Sequence, residues 1–110
     1  MSDLQICTED TTLTTNAEYM LLYFTASFCP PCQKIGPFVT RLSEDPNYHK
    51  IKFFKIDIQS CPSLTNTYNI SSVPTFILIR KGEPDQIVET MTGADDSRLQ
   101  ALLSSTNKIF

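Results

Sequence analysis

The sequence predicts an α/β fold, with a central mixed β-sheet flanked by helices on both faces. An apolar run at 20–26 and a β-favouring run from Ile51 to Ile58 enclose a segment with helical periodicity at 30–44. A strand, a helix and a strand within about 40 residues form a βαβ unit, so these two strands should be parallel. Further along, Thr75–Ile79 and Gln86–Thr92 flank a Lys-Gly-Glu-Pro turn, which predicts an antiparallel hairpin.

The remaining elements are signalled less strongly. Leu4 to Cys7 is predicted as a short first strand, and the Thr-rich segment 8–19 as a first helix, because Leu13 and Ala17 lie at helical spacing. Residues 60–69 form a short, weakly amphipathic helix in this interpretation. A last helix follows, capped by Asp95 or Asp96, with three leucines on its inner face: Leu99, Leu102 and Leu103.

Length and composition predict a single domain over 1–110. The hydrophobic fraction of 41% is enough for a modest core, and no apolar run approaches the roughly 18 residues of a membrane span. The net charge of −3 gives no electrostatic reason to bind nucleic acid or anionic lipid. The start of the chain lacks the basic and apolar regions of a secretory signal, so we expect a cytoplasmic protein. We also expect a monomer that binds neither nucleic acid nor membrane.

A CPPC segment carries the clearest chemical signal, with Cys29 and Cys32 between the predicted strand 20–26 and the predicted helix 30–44. At a helix start, positions i and i+3 share a face, so the two sulfurs can meet and support dithiol–disulfide chemistry. Cys29 falls at the predicted N-cap, where exposed N–H groups and the helix dipole lower the pKa of a thiol. We therefore predict Cys29 as the nucleophile and Cys32 as the resolving thiol; the alternative is that the two cysteines merely pack at a helix end.

The other cysteines and the single histidine predict no metal site. Cys7 and Cys61 are isolated, whereas a structural zinc site usually shows two ligand pairs. We expect Cys7 to pack in the first strand as a small apolar residue, Cys61 to be a surface or helix-start thiol, and His49 to lie in a loop. No bound cofactor is expected.

Several segments beyond the CPPC carry a family resemblance that covers nearly the whole chain. It rests on Phe28–Cys32, on the helix proline Pro37, on Phe54–Asp57, on Tyr68–Phe76, on Lys81–Glu83 and on Gly93-Ala94. Together these segments resemble the thioredoxin family. The resemblance implies the thioredoxin fold and the activity of a protein disulfide reductase that acts on disulfide-containing proteins. Its electrons would come from an NADPH-dependent thioredoxin reductase or from a low-molecular-mass dithiol.

The resemblance also implies a substrate cleft beside the two cysteines. The Val73–Pro74 bond should be cis and lie next to Cys29, with the backbone of Val73 pairing with an extended substrate. Phe28, Pro30 and Val73 would line an apolar contact patch, with Pro74 and Gly93 completing the substrate-binding set.

Three residues depart from the family pattern. Phe28 replaces the usual Trp, Pro30 the usual Gly, and Tyr23 the buried Asp that moves protons for the second cysteine in many thioredoxins. We expect Tyr23 to fill core space, its hydroxyl finding one partner, because a phenol is a poor base near neutral pH. Residues 23–32 instead resemble tryparedoxins and nucleoredoxins, so one alternative is a tryparedoxin-like oxidoreductase that uses a low-molecular-mass dithiol. A separate alternative is an interaction module that uses the fold to hold a partner and leaves the CPPC pair redox-idle. An oxidase or isomerase is disfavoured, since it needs an oxidising compartment.

Overall fold

A computed structural model describes residues 4–107, whose strands form one mixed sheet. The strands are β1 (Leu4–Ile6), β2 (Tyr19–Thr25), β3 (Ile51–Asp57), β4 (Thr75–Arg80) and β5 (Gln86–Thr92). Their order across the sheet is β1-β3-β2-β4-β5. Strands β1 and β2 run parallel to β3, whereas β4 is antiparallel to both β2 and β5. The predicted βαβ unit and hairpin are both confirmed.

Helices cover both faces of the sheet, as predicted. They are α1 (Pro30–Ser43), α2 (Pro62–Thr67) and α3 (Asp96–Ser104). Helices α1 and α3 pack on the first face through apolar side chains that include Ile35, Val39, Leu42, Leu99 and Leu103. The second face carries α2 and part of the chain before β2, with a core that includes Cys7, Met20, Phe24, Ile56 and Cys61. Within 4–107, no helix is long and apolar enough to cross a membrane.

The central and edge strands differ in burial. Six of the seven residues of β2 are buried, in agreement with its unalternated apolar sequence and its place between β3 and β4. In β5, at the edge of the sheet, Met91 alone is buried. The CPPC segment therefore follows directly from the best-buried strand of the fold, which gives it a rigid support.

The predicted helix at 8–19 is wrong, because the segment forms turns and extended chain. Thr8 donates its backbone N–H to Oγ1 of Thr11 at 2.7 Å, and Ala17 donates to Oγ1 of Thr15 at 3.0 Å. Threonine hydroxyls offer the backbone these local partners in place of helical hydrogen bonds. The second face is consequently covered by an irregular segment and one short helix.

Two helix boundaries are sharper than the sequence indicated. Helix α3 is capped by Asp95, whose carboxylate accepts from the N–H of Arg98 at 3.1 Å, so Asp96 lies inside the helix. Helix α2 is shorter than the predicted range 60–69, since it begins at Pro62 and ends at Thr67.

Candidate active site

The CPPC cysteines lie where β2 leads into α1. Cys29 is the N-cap of α1, with extended backbone (φ −104°, ψ 105°), and its Sγ accepts a hydrogen bond from the N–H of Cys32 at 3.2 Å. Pro30 and Pro31 form the first turn of α1 and bring no N–H groups of their own. Cys29 and Cys32 form a disulfide, with their Cα atoms 5.2 Å apart. The predicted meeting of the two sulfurs is confirmed.

Access to the two sulfurs is unequal. Cys29 retains 7% of its surface and Cys32 only 1%, while the neighbouring Phe28 is 63% exposed. Pro30 is exposed as well. A substrate approaching this surface meets Cys29 first, which agrees with the predicted order of attack. The catalytic roles of the two cysteines stay predictions.

A second segment completes a cleft around Cys29. The Val73–Pro74 bond is cis, and the carbonyl oxygen of Val73 lies 3.6 Å from Sγ of Cys29, as predicted. Gly93 donates its N–H to the carbonyl of Pro74 at 3.0 Å. Gly93 has a φ of 95°, a conformation that glycine adopts without strain. The structure thus brings Val73, Pro74 and Gly93 together beside the disulfide.

Tyr23 lies beneath the site and fills core space as expected. It is buried, its ring stacks on Phe76 with centroids 5.0 Å apart, and its hydroxyl donates to the carbonyl of Cys32 at 3.1 Å. Burial raises the pKa of Tyr23, and a hydrogen bond involving Thr25 opposes that rise in part. The phenol therefore stays protonated near neutral pH and anchors the first turn of α1.

A polar cavity of about 270 Å³ lies behind Cys32, and sequence reasoning missed it. It is large enough to hold several water molecules. Parallel pairing sets Lys55 of β3 opposite Tyr23 of β2, and this lysine is the one charged residue in the lining. The lining residues are Tyr23, Thr25, Cys32, Gln33, Gly36, Pro37, Thr40 and Lys55.

Two further residues pack at the disulfide without having been predicted. Ala26 is buried with Cys29 and Cys32, and Ile58 packs against the same cluster. Ile58 reaches it because its N–H donates to the carbonyl of Thr25 at 3.0 Å, where β3 ends beside β2. The available signal was that parallel strands of a βαβ unit end at the same edge of the sheet.

The remaining cysteines lie together, away from the disulfide cluster. Cys7 directly follows β1 and is buried, which confirms its expected packing. Cys61 begins α2 as expected but is 0% exposed, so a surface position is wrong. Burial, reinforced by Cys61, raises the pKa of Cys7 from 9.0 to about 11. Burial also raises the pKa of Cys61, with further contributions from Glu9 and Asp57.

The structure shows no arrangement for a metal among the residues it describes. No group of three or more potential His, Cys, Asp or Glu ligands occurs within 4–107. His49 is exposed in a loop, and its Nδ1 lies 3.1 Å from the carbonyl oxygen of Pro46.

Comparison with known proteins identifies the family. The Thioredoxin family model matches residues 6–105. A thioredoxin of Malassezia sympodialis is 33% identical over 85 residues, which cover 77% of this chain and 78% of that protein. Thioredoxin 1 of Plasmodium falciparum is 36% identical over 86 residues, 78% of each chain. The crystal structure of the Malassezia sympodialis thioredoxin superposes with a TM-score of 0.85 and 27% identity over 98% of this chain and 94% of that one.

The chain belongs to the thioredoxin family, and it is a thiol–disulfide oxidoreductase with a redox-active Cys29–Cys32 pair. Members of this family act on disulfide substrates and are reduced by thioredoxin reductase. The comparisons do not support the tryparedoxin-like or the redox-idle alternative.

Proposed function

We propose that this protein is a protein disulfide reductase, in which Cys29 attacks the substrate and Cys32 resolves the mixed disulfide. The observation that carries the proposal is the position of Cys29. Its sulfur caps α1 by accepting the Cys32 N–H at 3.2 Å, and it lies at the mouth of a cleft walled by Val73. A thiolate gains more than a thiol from such a hydrogen bond, so the arrangement favours the reactive form.

The first step forms a mixed disulfide. The Cys29 thiolate attacks one sulfur of the substrate disulfide, a new S–S bond forms, and the substrate bond breaks. The displaced substrate sulfur leaves as a thiolate and takes a proton from water. In the reduced protein, a thiol at Cys29 can donate to the Val73 carbonyl, and this hydrogen bond is given up when the thiolate forms.

The second step closes the internal disulfide. Cys32 loses its proton and attacks Sγ of Cys29, which releases the second substrate sulfur and leaves the protein oxidised by two electrons. Tyr23 cannot accept that proton readily, because burial raises its pKa and its hydroxyl already donates to the Cys32 carbonyl. We infer that the proton passes to water in the cavity behind Cys32 or to the departing thiolate.

Substrate recognition rests on the rim of the cleft. The exposed Phe28 and Pro30 offer an apolar contact surface, and Val73 offers main-chain groups to an extended peptide. The 3.0 Å hydrogen bond between Gly93 and Pro74 holds this segment in place. Recognition through backbone groups gives broad substrate choice.

We also propose the setting in which the reductase works. It acts as a single domain over 1–110 and as a monomer. Its compartment is the cytoplasm, since reducing conditions keep the CPPC pair available as a dithiol. An NADPH-dependent thioredoxin reductase regenerates the dithiol. A low-molecular-mass dithiol is the alternative donor, because residues 23–32 resemble tryparedoxins.

The test is reduction of insulin disulfides with three donors in parallel: thioredoxin reductase with NADPH, glutathione, and trypanothione. Turnover should be fastest with thioredoxin reductase and absent in a Cys29→Ser variant. No turnover above background with any donor would refute the reductase. Turnover restricted to trypanothione would move the protein to the tryparedoxin-like mechanism.

A further inference from the structure

A cleft on the second face of the sheet has no part in the chemistry described so far. It has a volume of about 300 Å³ and lies between the segment 67–72 and the hairpin of β4 and β5. Seven of its eleven lining residues carry a hydroxyl group, and none carries a charge. We call it the hydroxyl cleft; its lining is Thr67, Tyr68, Asn69, Ile70, Ser71, Ser72, Thr75, Ile77, Ile87, Thr90 and Thr92.

The hydroxyl cleft begins at the proposed active site. Three of its residues, Ser72, Thr75 and Thr92, are direct chain neighbours of Val73, Pro74 and Gly93. Thr75 donates its hydroxyl to the carbonyl of Ser72 at 2.6 Å, which fixes this end. Since Val73 lies 3.6 Å from the Cys29 sulfur, the near end of the cleft starts about one residue from the disulfide.

The cleft then follows β5 along the sheet. Thr92, Thr90 and Ile87 line it in order, over five residue steps. At about 3.3 Å per residue, these steps span about 17 Å, the length of about five extended residues. The far end is open, because Ile87 is 57% exposed.

The walls offer hydrogen-bonding groups that the fold does not use. Among the residues that the structure describes, the hydroxyls of Ser71, Thr90 and Thr92 make no hydrogen bond to another residue, and all three are exposed. Uncharged donors and acceptors over an aliphatic floor suit a peptide with hydroxyl, amide and aliphatic side chains.

The nearest charges do not alter this chemistry. Asp85 and Lys81 influence the pKa of Tyr68, a lining residue, in opposite directions; burial raises it most. Those two side chains pair with each other at 2.9 Å on the hairpin turn. Neither is therefore left over to balance a charge that enters the cleft.

We propose that the hydroxyl cleft binds the four or five extended residues that flank the reactive cysteine of a protein substrate, and that it selects uncharged side chains there. This inference rests on the proposed reductase function. It assigns substrate selection to the second face of the sheet, in addition to the rim around Cys29.

The experiment compares three oxidised substrates of the full chain. One is a small aromatic disulfide without flanking residues. The other two are disulfide-linked peptides with five residues on each side of the cysteine, one with Ser, Asn and Val flanks and one with Asp in both flanks. The wild-type protein should show a kcat/KM about tenfold higher for the uncharged peptide than for the Asp peptide.

Thr90→Arg places a bulky cation in the cleft. Glu89→Gln is the control, because it shifts the net charge of the protein by the same one positive unit at the next residue, which lines a different cavity beside α3. Thr90→Arg should raise KM for the uncharged peptide about tenfold and remove the penalty against the Asp peptide. Thr90→Arg should leave turnover of the small disulfide within about twofold of the wild-type value. Glu89→Gln should leave kcat/KM unchanged for both peptides. Circular dichroism checks that both variants fold.

Equal kcat/KM for the two peptides, or no response to Thr90→Arg, while the small disulfide is still reduced, would overturn the cleft and spare the reductase. Failure to reduce even the small disulfide would overturn both.

Discussion

Cys29 and Cys61 occupy the same kind of position and differ in chemistry. Each is the N-cap of a helix, each is followed by proline, and each is buried. Cys29 accepts the N–H of Cys32 at 3.2 Å. Cys61 makes no capping bond, and its thiol lies 3.6 Å from the carbonyl of Cys7, to which it donates.

The difference lies in what surrounds each helix start. The first turn of α1 contains no acidic residue. At α2, the carboxylate of Glu9 takes the N–H of Ser63 at 3.1 Å, and Glu9 and Asp57 add to the rise in the pKa of Cys61. The proposed mechanism therefore depends on two features of the α1 start that α2 lacks: an N–H group that reaches the sulfur, and no carboxylate beside it.

Substitution of Cys29 should have the largest effect on activity. Cys29→Ser should reduce insulin turnover to the uncatalysed rate, whereas Cys7→Ala with Cys61→Ala should keep most of it. Cys32→Ser should accumulate a stable mixed disulfide through Cys29, which mass spectrometry detects. Trapping of substrate through Cys32 in the Cys29→Ser protein would reverse the assigned roles. Loss of activity in the folded double alanine variant would show that Cys7 or Cys61 contributes to the reaction.

Tyr23→Asp tests whether the CPPC site lacks a base that deprotonates Cys32. The introduced carboxyl replaces a buried ring that packs on Phe76, so we expect a loss of about 3 kcal/mol in the free energy of unfolding and a raised carboxyl pKa. Breakdown of the mixed disulfide, followed by stopped flow, should rise with pH in the wild-type protein until Cys32 ionises, and should rise at lower pH in Tyr23→Asp.

Tyr23→Phe is the matched control, because it keeps the ring and removes only the hydroxyl group, whose hydrogen bond to the Cys32 carbonyl is worth about 1 kcal/mol. This variant should keep the wild-type pH profile. A flat wild-type profile that Tyr23→Asp does not change would mean that another residue supplies the base.

Alkaline pH should destabilise the folded protein through the buried thiol of Cys7. The folded protein holds the Cys7 proton more tightly than the unfolded chain, with a pKa of about 11 against an ordinary 9.0. This contribution to stability is complete below about pH 9 and is lost as pH rises towards 11, by up to about 2–3 kcal/mol.

Urea unfolding across this window, with Cys29 and Cys32 kept oxidised so that neither titrates, should show a shallower decline for Cys7→Ala than for the wild-type protein. Identical slopes would show that Cys7 does not hold its proton in the folded state.

Glu9→Gln gives the smallest expected effect. It weakens the hydrogen bond to the Ser63 N–H and removes a charge favourable to a helix start, so the free energy of unfolding should fall by about 1 kcal/mol. The pKa of Cys61 should fall as well, because a carboxylate that raises it is gone.

Asp10→Asn is the control, since it removes the same charge one residue away, whereas the hydrogen bond from the Ser63 N–H goes to Glu9. Its effect should stay below about 0.5 kcal/mol. Equal effects of the two substitutions would assign the loss to net charge rather than to the hydrogen bond.

Local pattern was sufficient to predict most of the fold. The apolar run of β2, the periodicity of α1 and the turn before β5 each carry their own signal, and β5 matches its predicted range. The CPPC segment was equally local, because its two sulfurs meet within one helical turn.

Most of what the sequence missed depends on contacts between distant segments. The helix predicted at 8–19 is the exception, because it fails through local hydrogen bonds from threonine side chains to the backbone. Glu9, in contrast, reaches α2 only in the folded chain. Cys61 is buried in the core of the second face, where its thiol reaches the carbonyl of Cys7, more than 50 positions away. The hydroxyl cleft likewise exists only because the 67–72 segment crosses beside β5.

The two prolines that open α1 also bear on competition with other thiols. Pro30 and Pro31 fix two backbone torsions between the cysteines, so little chain entropy is lost when the sulfurs meet. In well-oriented systems, a group held beside its target in this way, as Cys32 is beside Cys29, can act at an effective concentration on the order of 10⁵ M. On the proposed mechanism, free thiols at millimolar concentration would therefore react with the mixed disulfide more slowly than Cys32 does, and a substrate that has been attacked would be fully reduced.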